Sequence, residues 1–368
     1  MNNREQIGLN FFRPDVGKAG TYEFVNSGAW LASQYKELGV KWNRLAFSWV
    51  LVQPEPDVYE WSAYDRIVAV CDRDGVEILA TLGGHFDQPP VPHWAGETLA
   101  QVVNQHPEYL ERFVRAWVER YHRSIKYWEI LNEPSGQHFD LTVLDYVEKI
   151  LKPCYRIIKE VDAEAQVMPC AYSNLPRLGE RESFWGASRG YCDIHNLHIY
   201  TDWGYFRTDT TGWREEARAR EFRELMIKHG EGDKLFWITE TGWWGTSGLT
   251  GTMYDIYKID PASRRDPIEF KPRYKGREIL THPVVLREDA LRAEWMKDVF
   301  SRLLSVPGCD KVFLWVAMDE FEDGYDPDRI YGLSTEGERL SQFTLWAIIA
   351  ADRSWRKSAY ALQEIMRQ

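Results

Sequence analysis

Two stretches decide how this chain is read: Trp128-Glu129-Ile130-Leu131-Asn132-Glu133-Pro134 and Phe236-Trp237-Ile238-Thr239-Glu240-Thr241-Gly242. Each is a short, strongly apolar run that carries a glutamate to its C-terminal end and then meets turn residues, as a buried strand of a parallel sheet does. Outward from these two, apolar and β-branched runs alternate with longer stretches of helical period, the pattern of βα units. The strand candidates are Ile7–Phe11, Trp42–Phe47, Glu77–Leu82, Tyr127–Leu131, Gln166–Pro169, Ile194–Ile199, Leu235–Ile238 and Lys311–Val316. Helix candidates between them include Ala29–Leu38, Tyr64–Arg73, Pro107–Tyr121, Leu144–Val161, Trp213–His229 and Arg287–Leu304, with Ser358–Met366 closing the chain. About eight of each is what a closed (β/α)8 TIM barrel requires, so an α/β barrel is the expected fold. In Asn174–Gly190 the residues Pro176, Gly179 and Gly186 interrupt any helical pattern.

Composition agrees with a single barrel domain over 1–368. The 368 residues are 44% hydrophobic, enough to bury a large core, and no repeat, low-complexity run or Pro/Ser-rich linker marks a second unit. A net charge of −11 makes nucleic acid and anionic membrane surfaces poor partners, because both repel it at long range. There is no apolar span of transmembrane length and no apolar run for a signal peptide near Met1, so a cytoplasmic location is expected. The five cysteines (Cys71, Cys154, Cys170, Cys192, Cys309) are dispersed and never spaced C-x-x-C, which argues for small buried residues rather than a zinc site or disulfide framework. The 17 tryptophans suit sugar faces, and equally a core. The oligomeric state is left open.

In a barrel the inward rows of the strands meet at the C-terminal face. Counting back in twos from Glu133 places Leu131, Glu129 and Tyr127 on one face; from Glu240 it places Ile238 and Phe236 on one face. Both glutamates then stand at the tops of barrel-lining rows. A lone strand-end Glu is ordinarily a surface charge, but two in apolar segments form the pair of carboxylates that glycosidic cleavage needs.

Asn132-Glu133-Pro134 resembles the Asn-Glu-Pro motif of clan A glycoside hydrolases, the retaining (β/α)8 enzymes, and with Trp237-Ile238-Thr239-Glu240-Thr241-Gly242-Trp243 is most similar to families 39 and 5. The resemblance implies that Glu133, closing the fourth strand, is the acid/base and that Glu240, ending the seventh, is the nucleophile. It implies further that Arg44 holds the nucleophile ionised, that Asn132 binds the sugar 2-hydroxyl, and that Tyr200 contacts the nucleophile while His198 lines the site. Trp315 would be the stacking platform beneath the sugar, and His85, after the third strand, a sugar-binding histidine, the alternative being a loop histidine satisfied by backbone. The implied substrate is an oligosaccharide or glycoside, with no cofactor.

Glu129 faces inward below the site and reads as a buried partner, of Arg44 for example. Asp319, Glu320 and Glu322 could bind sugar hydroxyls, though solvated loop acids are the usual case. His195 and His198 form an H-x-x-H, but strand alternation sends them to opposite faces, so no metal is expected. A metal-dependent hydrolase would want histidines at strand ends, and the first strand offers only Asn10. A barrel that merely binds carbohydrate would have lost one glutamate. Within glycosidases, the long segments after strands seven and eight (Trp243–Leu286, with basic residues from Arg264 to Arg277, and Ala317–Gln342) tilt the reading toward an exo-acting β-xylosidase or β-glucosidase pocket; the alternative is an open-grooved endo-glucanase or mannanase.

Overall fold

The structure, a computed structural model, describes residues 3–11, 22–83, 91–133, 141–173, 178–200, 215–242, 283–318, 347–349 and 353–368. Nine parallel strands run through them: β1 Ile7–Phe11, β2 Trp42–Phe47, β3 Glu77–Leu82, β4 Tyr127–Ile130, β5 Gln166–Met168, β6 Tyr172–Ser173, β7 His195–His198, β8 Phe236–Thr241 and β9 Cys309–Leu314. Their order is β5-β4-β3-β2-β1-β9-β8-β7-β6. β5 and β6 are two pieces of one barrel position. β5 pairs with β4 and β6 with β7, while the Val167 carbonyl accepts from the Asp193 and Ile194 amides and Ala171 bridges Asn132. Counted by position the sheet is a nearly closed barrel of eight parallel strands with helices between, as expected.

Helices follow most strands, among them Tyr22–Leu38, Ser62–Asp74, Pro107–Tyr121, Glu215–Lys228 and Pro283–Leu304. Between 143 and 161 one continuous helical run includes a π-helical turn, Val147–Leu151. The closing helix Lys357–Arg367 has no side-chain cap of its own. Asp289 supplies one from the neighbouring helix, accepting from the Lys357 and Ser358 amides and the Ser358 hydroxyl. Leu178–Ser188 is also helical, contrary to the reading of its glycines. Phe184 and Trp185 are buried there, and Trp185 packs on Phe222, His195 and His229, so tertiary packing outweighs the roughly 1 kcal/mol propensity cost of a helical glycine.

Two apolar layers hold the barrel. Outward-facing strand residues such as Leu9, Leu45, Phe47, Ile130, Leu197, Phe236, Ile238 and Leu314 join the helices in one large core. Inside the barrel, Trp42, Leu79, Met168, Ile194, Trp237 and Phe313 fill the floor, with Tyr127 packed against them. Trp42 and Trp237 meet edge to face at 5.1 Å, and the Lys311 ammonium lies 4.4 Å from the Trp42 centroid. Gly8 completes this floor because nothing larger fits: a Cβ there would lie 2.5 Å from the Phe313 ring and 2.9 Å from the Trp42 Cβ.

These contacts correct the alternation expected around both glutamates. In β8 the inward residues are Trp237 on the floor and Thr239 above it, whereas Phe236 and Ile238 face the helices. A register irregularity between Ile238 and Thr241 then turns Glu240 inward as well. In β4, Tyr127 and Glu129 face inward as expected, but the strand stops at Ile130 and Leu131 takes a φ of 71°, joining the outer core. Glu133 reaches the barrel mouth by this backbone turn, not by continued pleating. All five cysteines are buried and none is in a disulfide.

Candidate active site

Above the aromatic floor the barrel interior turns polar. Asn10 of β1, Arg44 of β2, Thr81 of β3, Glu129 of β4, Asn196 of β7 and Thr239 of β8 are each no more than 5% exposed. Arg44 is the hub. Its Nε donates to Glu129 Oε2 at 2.5 Å, its Nη1 to Glu240 Oε1 at 2.5 Å and Asn10 Oδ1 at 2.9 Å, and its Nη2 to Asn132 Oδ1 at 2.8 Å. Burial alone would lower its pKa, but Glu129 and Glu240 outweigh that and leave it raised, so the guanidinium is a permanent cation in a dry site.

Glu240, 4% exposed, is clasped from two sides: by Arg44 on Oε1 and by the Tyr200 hydroxyl, which donates to Oε2. Burial raises its pKa, and the neighbouring Glu133 adds to that; His198, Arg44 and Tyr200 oppose the shift without cancelling it. Tyr200 itself is held far above its ordinary range by burial and by both glutamates, so it remains a hydroxyl donor. Gly242 permits this arrangement, since a Cβ there would lie 2.8 Å from the Trp315 carbonyl and 3.3 Å from the Tyr200 ring. Trp315, just past β9 and 6% exposed, is tied to β8 by its amide, which donates to the Thr241 carbonyl at 2.7 Å.

Glu133 is placed quite differently. It stands beyond the end of β4 with a φ of 23°, and its Oε1 is 2.5 Å from His198 Nδ1. The same nitrogen lies 3.4 Å from Glu240 Oε2. Donor atoms of Glu133, His198 and Glu240 all fall within 4.8 Å of one another. Such a triad has the spacing to hold a cation, but Arg44 already supplies the positive charge beside it.

Of the residues singled out in the sequence, Arg44, Asn132, Glu133, His198, Tyr200 and Glu240 converge on one site, with Trp315 at the same end of the barrel. His85, Asp319, Glu320 and Glu322 lie outside the described residues, as does 243–282 of the long insertion. His195 faces away from the site, in a buried cluster with Cys192 and Glu231. There Lys234 and Arg189 also pair with Glu231. Asn10, Thr81, Asn196 and Thr239 were not among the predicted site residues. The available signal was a polar side chain at an inward position of an otherwise apolar strand.

Residues 29–111 match the family model Glyco_hydro_42, described as β-galactosidase. No curated protein matches the chain. Among solved structures, a GH5_18 protein from Streptomyces cattleya in complex with Manβ1-4GlcNAc is similar with a TM-score of 0.65 at 14% identity, over 98% of this chain and 80% of that one. A family 39 glycoside hydrolase from the gut symbiont Bacteroides cellulosilyticus WH2 gives 0.58 at 14% identity, over 99% of this chain and 64% of that one. The exo-β-1,4-mannosidase from Opitutaceae bacterium strain TAV5 gives 0.62 at 13% identity, over 98% of this chain and 59% of that one. The chain thus shares the (β/α)8 barrel fold of these glycoside hydrolases.

Proposed function

We propose that the protein is a retaining glycoside hydrolase that cleaves β-linked glycosides by double displacement, with Glu133 as acid/base and Glu240 as nucleophile. One observation carries this reading: the two glutamates converge at one end of the barrel, a carboxylate oxygen of each within 4.8 Å of the other, with Glu240 held by Arg44 and Tyr200 and Glu133 against His198. Retaining enzymes place their carboxyl groups about 5–5.5 Å apart and inverting ones about 6.5–9.5 Å, because inversion must fit a water between the general base and the anomeric carbon. Glu240, fixed by Arg44 and Tyr200, is suited to attack the anomeric carbon. Glu133, against an imidazole, is suited to protonate the departing oxygen and afterwards to take a proton from the attacking water. Trp315 would lie beneath the sugar and Asn132 beside its 2-hydroxyl. The long segments after β8 and β9 favour an exo-acting pocket of the β-xylosidase or β-glucosidase kind.

A panel of nitrophenyl glycosides tests this, and β-mannosides belong in it because two similar structures carry mannose in their descriptions. Turnover of a β-glycoside with the β-anomer formed first, followed by NMR, is the expected result. An α-anomer formed first would refute retention, and inertness toward every β-glycoside would refute the assignment.

A further inference from the structure

We infer that Glu129, which touches no reacting atom, positions both carboxylates of the site and, through Thr239 and His198, fixes where the acid's proton sits. The inference rests on the reading of Glu133 as acid/base. Glu129 is 0% exposed at the centre of the barrel and takes donors on both oxygens. Oε2 accepts from Arg44 Nε at 2.5 Å and from the Thr81 hydroxyl at 2.5 Å; Oε1 accepts from Asn196 Nδ2 at 2.5 Å and from the Thr239 hydroxyl at 3.1 Å. Four donors occupy the roughly four lone-pair positions of a carboxylate, so Glu129 is an acceptor throughout.

Two arms leave this anchor. The first is Arg44, whose Nε is fixed on Glu129 and whose Nη1 is thereby aimed at Glu240. The second follows from counting protons. Thr239 has one hydroxyl hydrogen, and it goes to Glu129, so its oxygen can only accept from His198 Nε2 at 3.1 Å. His198 therefore carries its hydrogen on Nε2. In the neutral ring Nδ1 is then a lone pair, facing Glu133 Oε1 at 2.5 Å and Glu240 Oε2 at 3.4 Å. A lone pair against a carboxylate is repulsive, so the His198–Glu133 contact retains one shared proton, the proton that the leaving oxygen receives. Once it has been given up, the same repulsion favours its recovery from the attacking water. The other charged or titratable groups around His198 are Glu240 and Tyr200, with Arg44 and Glu129 one contact further away.

Thr239→Val keeps the shape of the side chain and removes the hydroxyl. His198 is then free to carry its hydrogen on Nδ1 and donate to an ionised Glu133, which makes a poorer acid. The expected result is an alkaline limb of kcat/KM moved about one unit toward acid, and roughly tenfold slower cleavage of glycosides with poor leaving groups. Dinitrophenyl glycosides, which need no acid, should be cleaved at nearly the native rate, and Thr239→Ser should restore the native profile. Glu129→Gln, which disturbs both arms, should move both limbs. If Thr239→Val slows all leaving groups alike with its limb unmoved, Thr239 is merely structural and the relay is wrong. A measurement on the unaltered protein guards against variants that fail to fold: 15N NMR of histidine-labelled protein should show His198 protonated at Nε2. A neutral ring protonated at Nδ1 overturns the inference, whether or not the protein proves to be a glycosidase, whereas absence of β-glycoside turnover removes only the catalytic reading.

Discussion

Replacing Arg44 by methionine isolates the energetic cost of the buried charge cluster. The side chain is 5% exposed and donates to Glu129, Glu240, Asn10 and Asn132. Arg44→Met leaves two carboxylates, 0% and 4% exposed, with no guanidinium between them. Removing one partner of a buried ion pair typically costs about 3–5 kcal/mol, because the remaining charge stays desolvated. For a chain of 368 residues the unfolding entropy converts that to a Tm lower by roughly 4–7 °C. The pH dependence adds a stricter test. Glu240 already titrates above its ordinary value through burial, and without Arg44 it should titrate higher still. A carboxyl raised in the folded state contributes stability that is present below its unfolded pKa and is lost as pH rises through its folded one. The Tm deficit of Arg44→Met should therefore be large at pH 8 and shrink toward pH 5. Scanning calorimetry of both proteins across that range measures it. A variant within 1 °C of wild type at pH 8, or a deficit that grows on acidification, would refute the reasoning. Arg44→Lys should rescue only part, since an ammonium cannot hold two carboxylates and two amide oxygens in one plane.

Three further outcomes are expected. Glu240→Ala should abolish turnover of β-glycosides, and azide in the vacated space should return a glycosyl azide of inverted configuration, identifiable by NMR; retained activity would exclude Glu240 as nucleophile. Gly8→Ala should destabilise by about 1–3 kcal/mol in urea unfolding, since its Cβ meets the Phe313 ring and the Trp42 Cβ, yet leave the pH-rate profile unmoved. Glu231 is lowered to about 2, first by its hydrogen bond with His195 and then by Lys234, so its contribution to stability is present above pH 4.5 and fades as the pH falls toward 2. Glu231→Gln should flatten the acid side of the Tm curve, and an unchanged slope there would count against the pairing.

Much of the barrel was readable because parallel strands buried on both faces are written as apolar runs: β1, β2 and β3 have the bounds read from the sequence. Arg44, His198 and Tyr200 were legible through the resemblance that the two glutamate segments carry. Face assignment around the two glutamates was not. Alternation holds only while the backbone stays pleated, and both β8, with its irregularity, and Leu131, with its positive φ, break that condition where the site is built. The network around Glu129 was equally hidden. Thr81, Asn196 and Thr239 come from three strands, and only closure of the barrel brings their side chains to one carboxylate.

Glu240 and Glu133 are mounted unequally. Glu240 sits within β8, in a strand laddered to β7 and β9, whereas Glu133 follows a strand that has already ended, next to the barrel position divided between β5 and β6. In a double displacement these two groups face different geometric tasks. A nucleophile has one target, the anomeric carbon, and every tenth of an ångström of wander there costs rate. The acid/base serves two oxygens in turn, that of the departing group and that of the incoming water, which do not occupy the same point in space. On the proposed reading, the laddered position carries the residue with a single aim, and the position past a strand's end carries the residue that must work twice.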